Sequence, residues 1–77
     1  MSKKSKSLSS FLEKQEYLGF RYGEQRWRSH DRKRLYTWDS LHGEIEVFNS
    51  RGHHLGVLEP LEGRLMKSAV KGRKIRV

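Results

Sequence analysis

The sequence predicts an α+β fold that is mainly β, with a short N-terminal helix followed by a small antiparallel sheet. Three observations carry that expectation. Residues 34–38, 44–48 and 54–58 are each rich enough in β-branched and aromatic side chains to form strands. Asp39-Ser40-Leu41-His42-Gly43 and Asn49-Ser50-Arg51-Gly52 supply turn residues between them, which makes a meander the simplest topology. Near the N-terminus, Ser10 followed by Glu13 has the spacing of a capping box.

Taken in order, residues 1–7 hold no apolar side chain to bury beyond Met1 and read as a mobile basic tail. Phe11, Leu12, Gln15 and Leu18 recur at near-helical intervals and Gly19 offers a left-handed stop, so a helix is expected over 10–18 with Phe11 and Leu18 in the core. In residues 20–34, Phe20, Tyr22 and Trp27 alternate with Arg21, Arg26, Arg28, Arg32, Lys33 and Arg34. Such rings can stack on bases while guanidinium groups hold phosphates, or the rings can pack on the sheet beneath solvated arginines; no strong period decides between the two. After the three strands, Pro60 and Gly63 break the chain. Residues 64–77 then offer one or two edge strands, with 73–77 the better candidate.

At 77 residues and 9.2 kDa, with hydrophobic and charged residues at 34% each, the chain has room for one domain, residues 1–77, with a thin core. The absence of cysteine excludes disulfides, thiolate-bound zinc or iron–sulfur centres and a thiol nucleophile. No apolar run approaches the roughly 20 residues of a membrane span. A net charge of +8 and a pI near 10.2 favour a polyanionic partner, most simply nucleic acid. The charge is unevenly placed: residues 1–34 and 63–77 are each +6, whereas 35–62 are −4. Carboxylates facing a phosphate backbone weaken affinity, so an acidic centre between basic arms is either a solvated strand face or a set retained for proton transfer.

Strand alternation separates Glu44 and Glu46 from Ile45 and Val47, leaving the two carboxylates opposite the apolar pair and next to a turn that carries Asp39 and His42. Histidine, glutamate and arginine together can supply the base, the acid and the phosphate-stabilising cation that RNA cleavage through the ribose 2′-hydroxyl requires. The nucleophile belongs to the substrate, so no metal and no cofactor are expected, and the His and carboxylate spacings match no standard zinc pattern. His53 and His54 are adjacent, hence on opposite faces, and are expected to pack rather than to ligate.

Residues 36–46, Tyr-Thr-Trp-Asp-Ser-Leu-His-Gly-Glu-Ile-Glu, resemble the cytotoxic ribonuclease domain of the ribosome-inactivating colicins. The similarity continues through Arg26-Trp27 and the basic run to Arg34, Gly52-His53-His54-Leu55-Gly56, the Pro60–Gly63 turn and Arg73-Lys74-Ile75, so it covers residues 26–77. The resemblance implies a strongly twisted antiparallel sheet and a single cut in the decoding site of small-subunit ribosomal RNA. It carries the catalytic role to Asp39, His42, Glu46 and Arg73, with Glu44 and Tyr36 in support. Glu46 is then the general base and His42, oriented by Asp39, the general acid, or the two are exchanged; Arg73 is the cation on the phosphate. Arg26, Trp27, Arg28, Lys33 and Arg34, with Lys71 and Lys74 near the C-terminus, are the expected RNA contacts.

One residue fewer than in the family separates Glu46 from His54, which predicts a tighter hairpin and places Arg73 only across a gap. The resemblance also implies an acidic immunity or antitoxin protein as partner beside the ribosome, and a site of action in the bacterial cytoplasm. A start at Met1 with a basic leader favours the toxin of a toxin–antitoxin pair over an excised toxin domain. A non-catalytic RNA-binding or ribosome-associated module would account for the charge but not for Asp39, His42 and Glu46 in this register, and a DNA-binding regulator accounts for the charge alone.

Overall fold

A computed structural model of the chain describes residues 9–77, so the expected basic tail at 1–7 lies outside the described residues. Helix α1 (Ser10–Glu13) is only one turn long, not the nine residues expected. Its cap is Ser9, one residue earlier than the capping-box reading: the Ser9 backbone is extended and its Oγ accepts from Leu12 N at 3.0 Å. The same hydroxyl donates to Pro60 O at 2.8 Å, and Ser10 Oγ donates to Leu61 O at 2.9 Å. So short a helix is marginal alone; these bonds to the distant 60–61 turn, with the buried Leu12, hold it in place.

After a turn at Lys14 and Gln15, the remainder of the expected helix, residues 16–18, is strand. β1 (Glu16–Arg21) pairs antiparallel with β2 (Glu24–Arg28), through a turn in which Tyr22 and Gly23 both have positive φ, 53° and 84°. Two successive left-handed residues match the right-handed twist of a hairpin. Gly19 also has positive φ, but it marks a register shift after Tyr17 instead of a helix stop. Within the expected helix, residues 16–18 fit either period through Leu18; the Tyr17–Trp27 ring contact across the hairpin, 5.3 Å between centroids, favours the strand.

β3 (Arg34–Asp39), β4 (Glu44–Asn49) and β5 (His54–Leu58) fall within a residue of their expected bounds. β6 is Leu65–Ser68, and the six strands lie in sequence order in one antiparallel sheet that begins at residue 16 instead of 26. The edge strand is therefore not 73–77, where Lys74 makes only an isolated bridge to His53. The carboxylate of Glu59 explains the choice: it accepts from the backbone N–H groups of Leu61, Glu62 and Arg64, closing the 59–64 turn tightly enough for 65–68 to return along β5 at once.

Cross-strand register sorts the side chains onto two faces. One face buries Trp27, Tyr36, Ile45, Val47 and Leu58 under Leu12, with Phe11 and Trp38 packed against them. Ile45 has no exposed surface, and burial of a side chain of that size stabilises the fold by about 1.5–3 kcal/mol. The other face carries the line Arg26, Thr37, Glu46, Val57, Lys67 across β2 to β6, with Asp39 opposite Glu44 one step along. Residues 73–77 cross this second face, where Ile75 N donates to Gly52 O at 2.8 Å and His54 N to Arg73 O at 3.0 Å. Gly52 permits the crossing: it has φ +85°, and a Cβ there would collide with Ile75 O.

Candidate active site

The turn between β3 and β4 is organised by Asp39. Its Oδ1 accepts from Leu41 N at 3.0 Å and His42 N at 3.1 Å, its backbone carbonyl accepts from Gly43 N at 2.8 Å, and its Oδ2 lies 2.7 Å from His42 Nδ1. An aspartate at this point caps the turn with its own side chain while gripping the imidazole three residues on. Partial burial alone would raise the Asp39 pKa, but the His42 ring, the His42 and Leu41 N–H groups and the His42 charge together hold it below the ordinary 3.8. His42 is 59% exposed, and with Nδ1 engaged by an ionised carboxylate, Nε2 is the atom left for proton exchange.

Glu46, in the middle of β4, is buried on the same face as Asp39. Its Oε1 receives two donors, His54 Nε2 at 2.8 Å and Arg73 Nη1 at 2.9 Å. The His54 tautomer follows from its other nitrogen: Nδ1 accepts from Val70 N at 2.9 Å, so Nε2 carries the hydrogen that points at Glu46. Asp39, Glu46 and Arg73 line one cleft of about 450 Å³ together with Glu24, Thr37, Trp38, Ser40 and Leu41, and His42 stands at its rim on Asp39. The site thus unites a solvated His–Asp pair with a buried carboxylate and a half-exposed guanidinium.

Three of the four residues expected to act catalytically, Asp39, Glu46 and Arg73, line this cleft, Arg73 being one that local pattern could not place, and His42 is joined to them through Asp39. Glu44 stands opposite Asp39 and forms an ion pair with Lys67 Nζ at 3.1 Å. Ligand atoms of Asp39, His42 and Glu44 lie within 4.8 Å of one another. In this arrangement Asp39 already binds His42 and Glu44 already binds the Lys67 ammonium, so a cation would have to displace both. Tyr36 sits on the opposite face, edge-on to Phe11 at 5.2 Å, and burial raises its pKa. A supporting role at the cleft does not fit that position, because strand alternation turns its ring into the core.

The expected RNA contacts divide by exposure. Lys33, Arg34, Lys71 and Lys74 are exposed, whereas Arg28 is half-buried and bonded to Glu16. Trp27 belongs to the core, and Arg26 is buried with its Nη1 donating to Arg76 O at 2.6 Å. Trp27 presents no face to solvent, and Arg26 is approached only where it lines a cavity. Sequence reasoning took His54 for a packing residue and assigned nothing to Lys67. Once β4 and β5 are paired, the alternation that puts Glu46 on the site face also indicates His54, since Phe48 and His54 are cross-strand partners there.

Comparison with known protein families matches residues 13–76 to the family described as Cytotoxic, thirteen residues further toward the N-terminus than the motifs alone reach. Among curated proteins of Escherichia coli, cloacin is 38% identical over 52 residues, covering 66% of this chain and 9% of its own length. Colicin-E6 is 40% identical over 52 residues, covering 66% and 9%. Colicin E3 is 38% identical over 53 residues, covering 68% and 10%. The chain therefore spans about a tenth of the length of the curated relatives it matches.

Proposed function

From the premise that the chain belongs to the Cytotoxic family of colicin-type toxin domains, we propose that it is a toxin endoribonuclease that cuts small-subunit ribosomal RNA in the decoding site and so stops translation. The observation that carries this reading is the convergence of Asp39 with its bound His42, Glu46 and Arg73 on one cleft. Glu46 takes the proton of the ribose 2′-hydroxyl, and the 2′-oxygen forms a bond to phosphorus. Arg73, held 2.9 Å from Glu46, stabilises the charge of the phosphorane. As the P–O5′ bond breaks, His42 Nε2 protonates the leaving 5′-oxygen, with Asp39 stabilising the imidazolium. The products are a 2′,3′-cyclic phosphate and a 5′-hydroxyl. No step calls for a metal ion.

A domain of charge +8 that attacks ribosomes must be restrained in its own host, and an acidic inhibitor of the immunity or antitoxin kind fits the charge. Such a pair associates fast and weakens with salt. The place of action is the bacterial cytoplasm, where ribosomes are. The test is to incubate intact ribosomes with the EDTA-treated chain, in parallel with its His42→Ala variant, and to map new RNA ends by primer extension. One new end in the decoding region, absent with the variant, supports the reading. Intact RNA with both proteins sinks it in favour of a binding module; scattered ends that vanish with the variant keep the chemistry and discard the ribosomal site.

A further inference from the structure

Beside the cleft, on the same face of the sheet, lies a second cavity of about 320 Å³ whose lining includes Arg21, Arg26, Arg28 and Arg32. We propose that this arginine pocket is a second anion subsite, which holds a backbone phosphate of the RNA strand a few nucleotides from the scissile bond. The inference rests on the nuclease reading and extends it to substrate contacts.

Charge balance is the first argument. Of the four arginines, only Arg28 is matched by a carboxylate, Glu16 at 2.9 Å; among the described residues Arg21, Arg26 and Arg32 form no ion pair. The second argument is Arg26 itself. It is 3% exposed, it lines the cavity, and its Nε has no hydrogen-bond partner. A buried guanidinium donor left unsatisfied is costly, and an anion arriving in the cavity supplies the missing counter-charge. Apart from Nη1, which is spent on Arg76 O, the group is packed on the Tyr22 ring, 5.6 Å from its centroid, so it is held in place before any ligand arrives.

Position favours RNA over an acidic protein. Arg26 is the cross-strand partner of Thr37, and Thr37 of Glu46, so the buried arginine lies two strand spacings from the catalytic carboxylate, roughly 10 Å. A nucleic-acid strand covers that distance in about three nucleotides at a rise of roughly 3.4 Å each. Four arginines and no Asp or Glu side chain line the pocket, a donor set that suits a backbone phosphate.

The test uses the full chain and a single-stranded, wholly 2′-O-methylated RNA of eight nucleotides, which lacks the nucleophile and cannot be cut. Its affinity is measured by fluorescence anisotropy over a range of salt. Arg21→Gln with Arg32→Gln, both exposed positions, is compared with Lys14→Gln with Arg64→Gln, which removes the same charge at exposed positions that do not line the pocket. The pocket pair is expected to weaken binding about tenfold and to lower the salt slope by about 0.7, the loss of one single-strand phosphate contact, while the control pair changes affinity less than twofold. Equal weakening by both pairs, or none by the pocket pair, overturns the subsite and leaves the nuclease reading standing. A wild-type chain that does not bind the strand also overturns the subsite, and the nuclease reading then stands or falls on the ribosome cleavage test.

Discussion

Two histidine–carboxylate pairs of nearly equal length occupy the same face of the sheet, and they do different work. His42 and Asp39 approach to 2.7 Å with side chains 59% and 26% exposed; His54 and Glu46 approach to 2.8 Å at 0% and 9%. The first imidazole has one nitrogen left over, in water, where it can exchange a proton with a substrate. The second has none, because Val70 N occupies its Nδ1 and Glu46 its Nε2. An exposed pair contributes little to stability and can be committed to chemistry, whereas a buried one fixes the geometry of a neighbour. Hydrogen-bond length does not separate the two roles; the accessibility of the remaining nitrogen does.

Substitution at each histidine can break this contrast. His42→Ala is expected to lower RNA cleavage by about two to four orders of magnitude, the range for loss of a general acid or base, with a thermal midpoint close to that of the wild type. Cleavage that survives within a factor of ten removes the proton-transfer role. His54→Ala should do the reverse in emphasis. It orphans Val70 N and deprives Glu46 of one donor, which costs about 1–3 kcal/mol, and for a chain of this size each kcal/mol lowers the midpoint by roughly 4–8 °C. Calorimetry showing no change would mean that the buried pair is dispensable.

Gly52→Ala sharpens the comparison by disturbing Arg73, which binds Glu46 of the buried pair, without changing a side chain of either pair. Backbone strain at a positive φ costs on the order of 1–3 kcal/mol, and the new Cβ pushes on Ile75 O. Amide exchange at Ile75 should accelerate, and cleavage should fall because the segment that carries Arg73 is displaced. Retained protection of that amide would show that the crossing does not depend on glycine.

The smallest expected effect is a pH dependence. The folded pKa of Asp39 is depressed, so its contribution to stability is fully present above the ordinary carboxylate value of 3.8 and is lost as the pH falls through the lower folded value. Urea melts should show a gap between wild type and Asp39→Asn that is constant from about pH 7 to 5 and narrows below about pH 4. A gap that opens instead as pH falls reverses the sign and rules out a stabilised Asp39 carboxylate.

Much of the sheet was legible in local pattern, because a strand's alternation and a turn's composition are set by neighbours a few residues apart. That is why β3, β4 and β5 fall where 34–38, 44–48 and 54–58 were expected, and why Glu44 and Glu46 separate cleanly from Ile45 and Val47. Residues 16–18 lie in β1 instead of the expected helix for the same reason: Leu18 satisfies helical and strand periods alike, and only pairing with 24–28 decides. The turn that carries Asp39 and His42 was also legible, whereas the pairing of the two side chains was implied by the family resemblance and not by local pattern.

By itself, then, the sequence determined a basic chain without cysteine, a β meander, and a motif whose Asp, His and Glu stand on one side of a strand and its turn. Tertiary structure alone decided that Arg73 reaches Glu46, that His54 holds that carboxylate, and that Arg26 is buried beneath Arg76 instead of facing solvent. Those contacts join residues from eight to fifty positions apart. They depend on which strands pair and in what register, and on where the C-terminal segment crosses Gly52, and no local period encodes either.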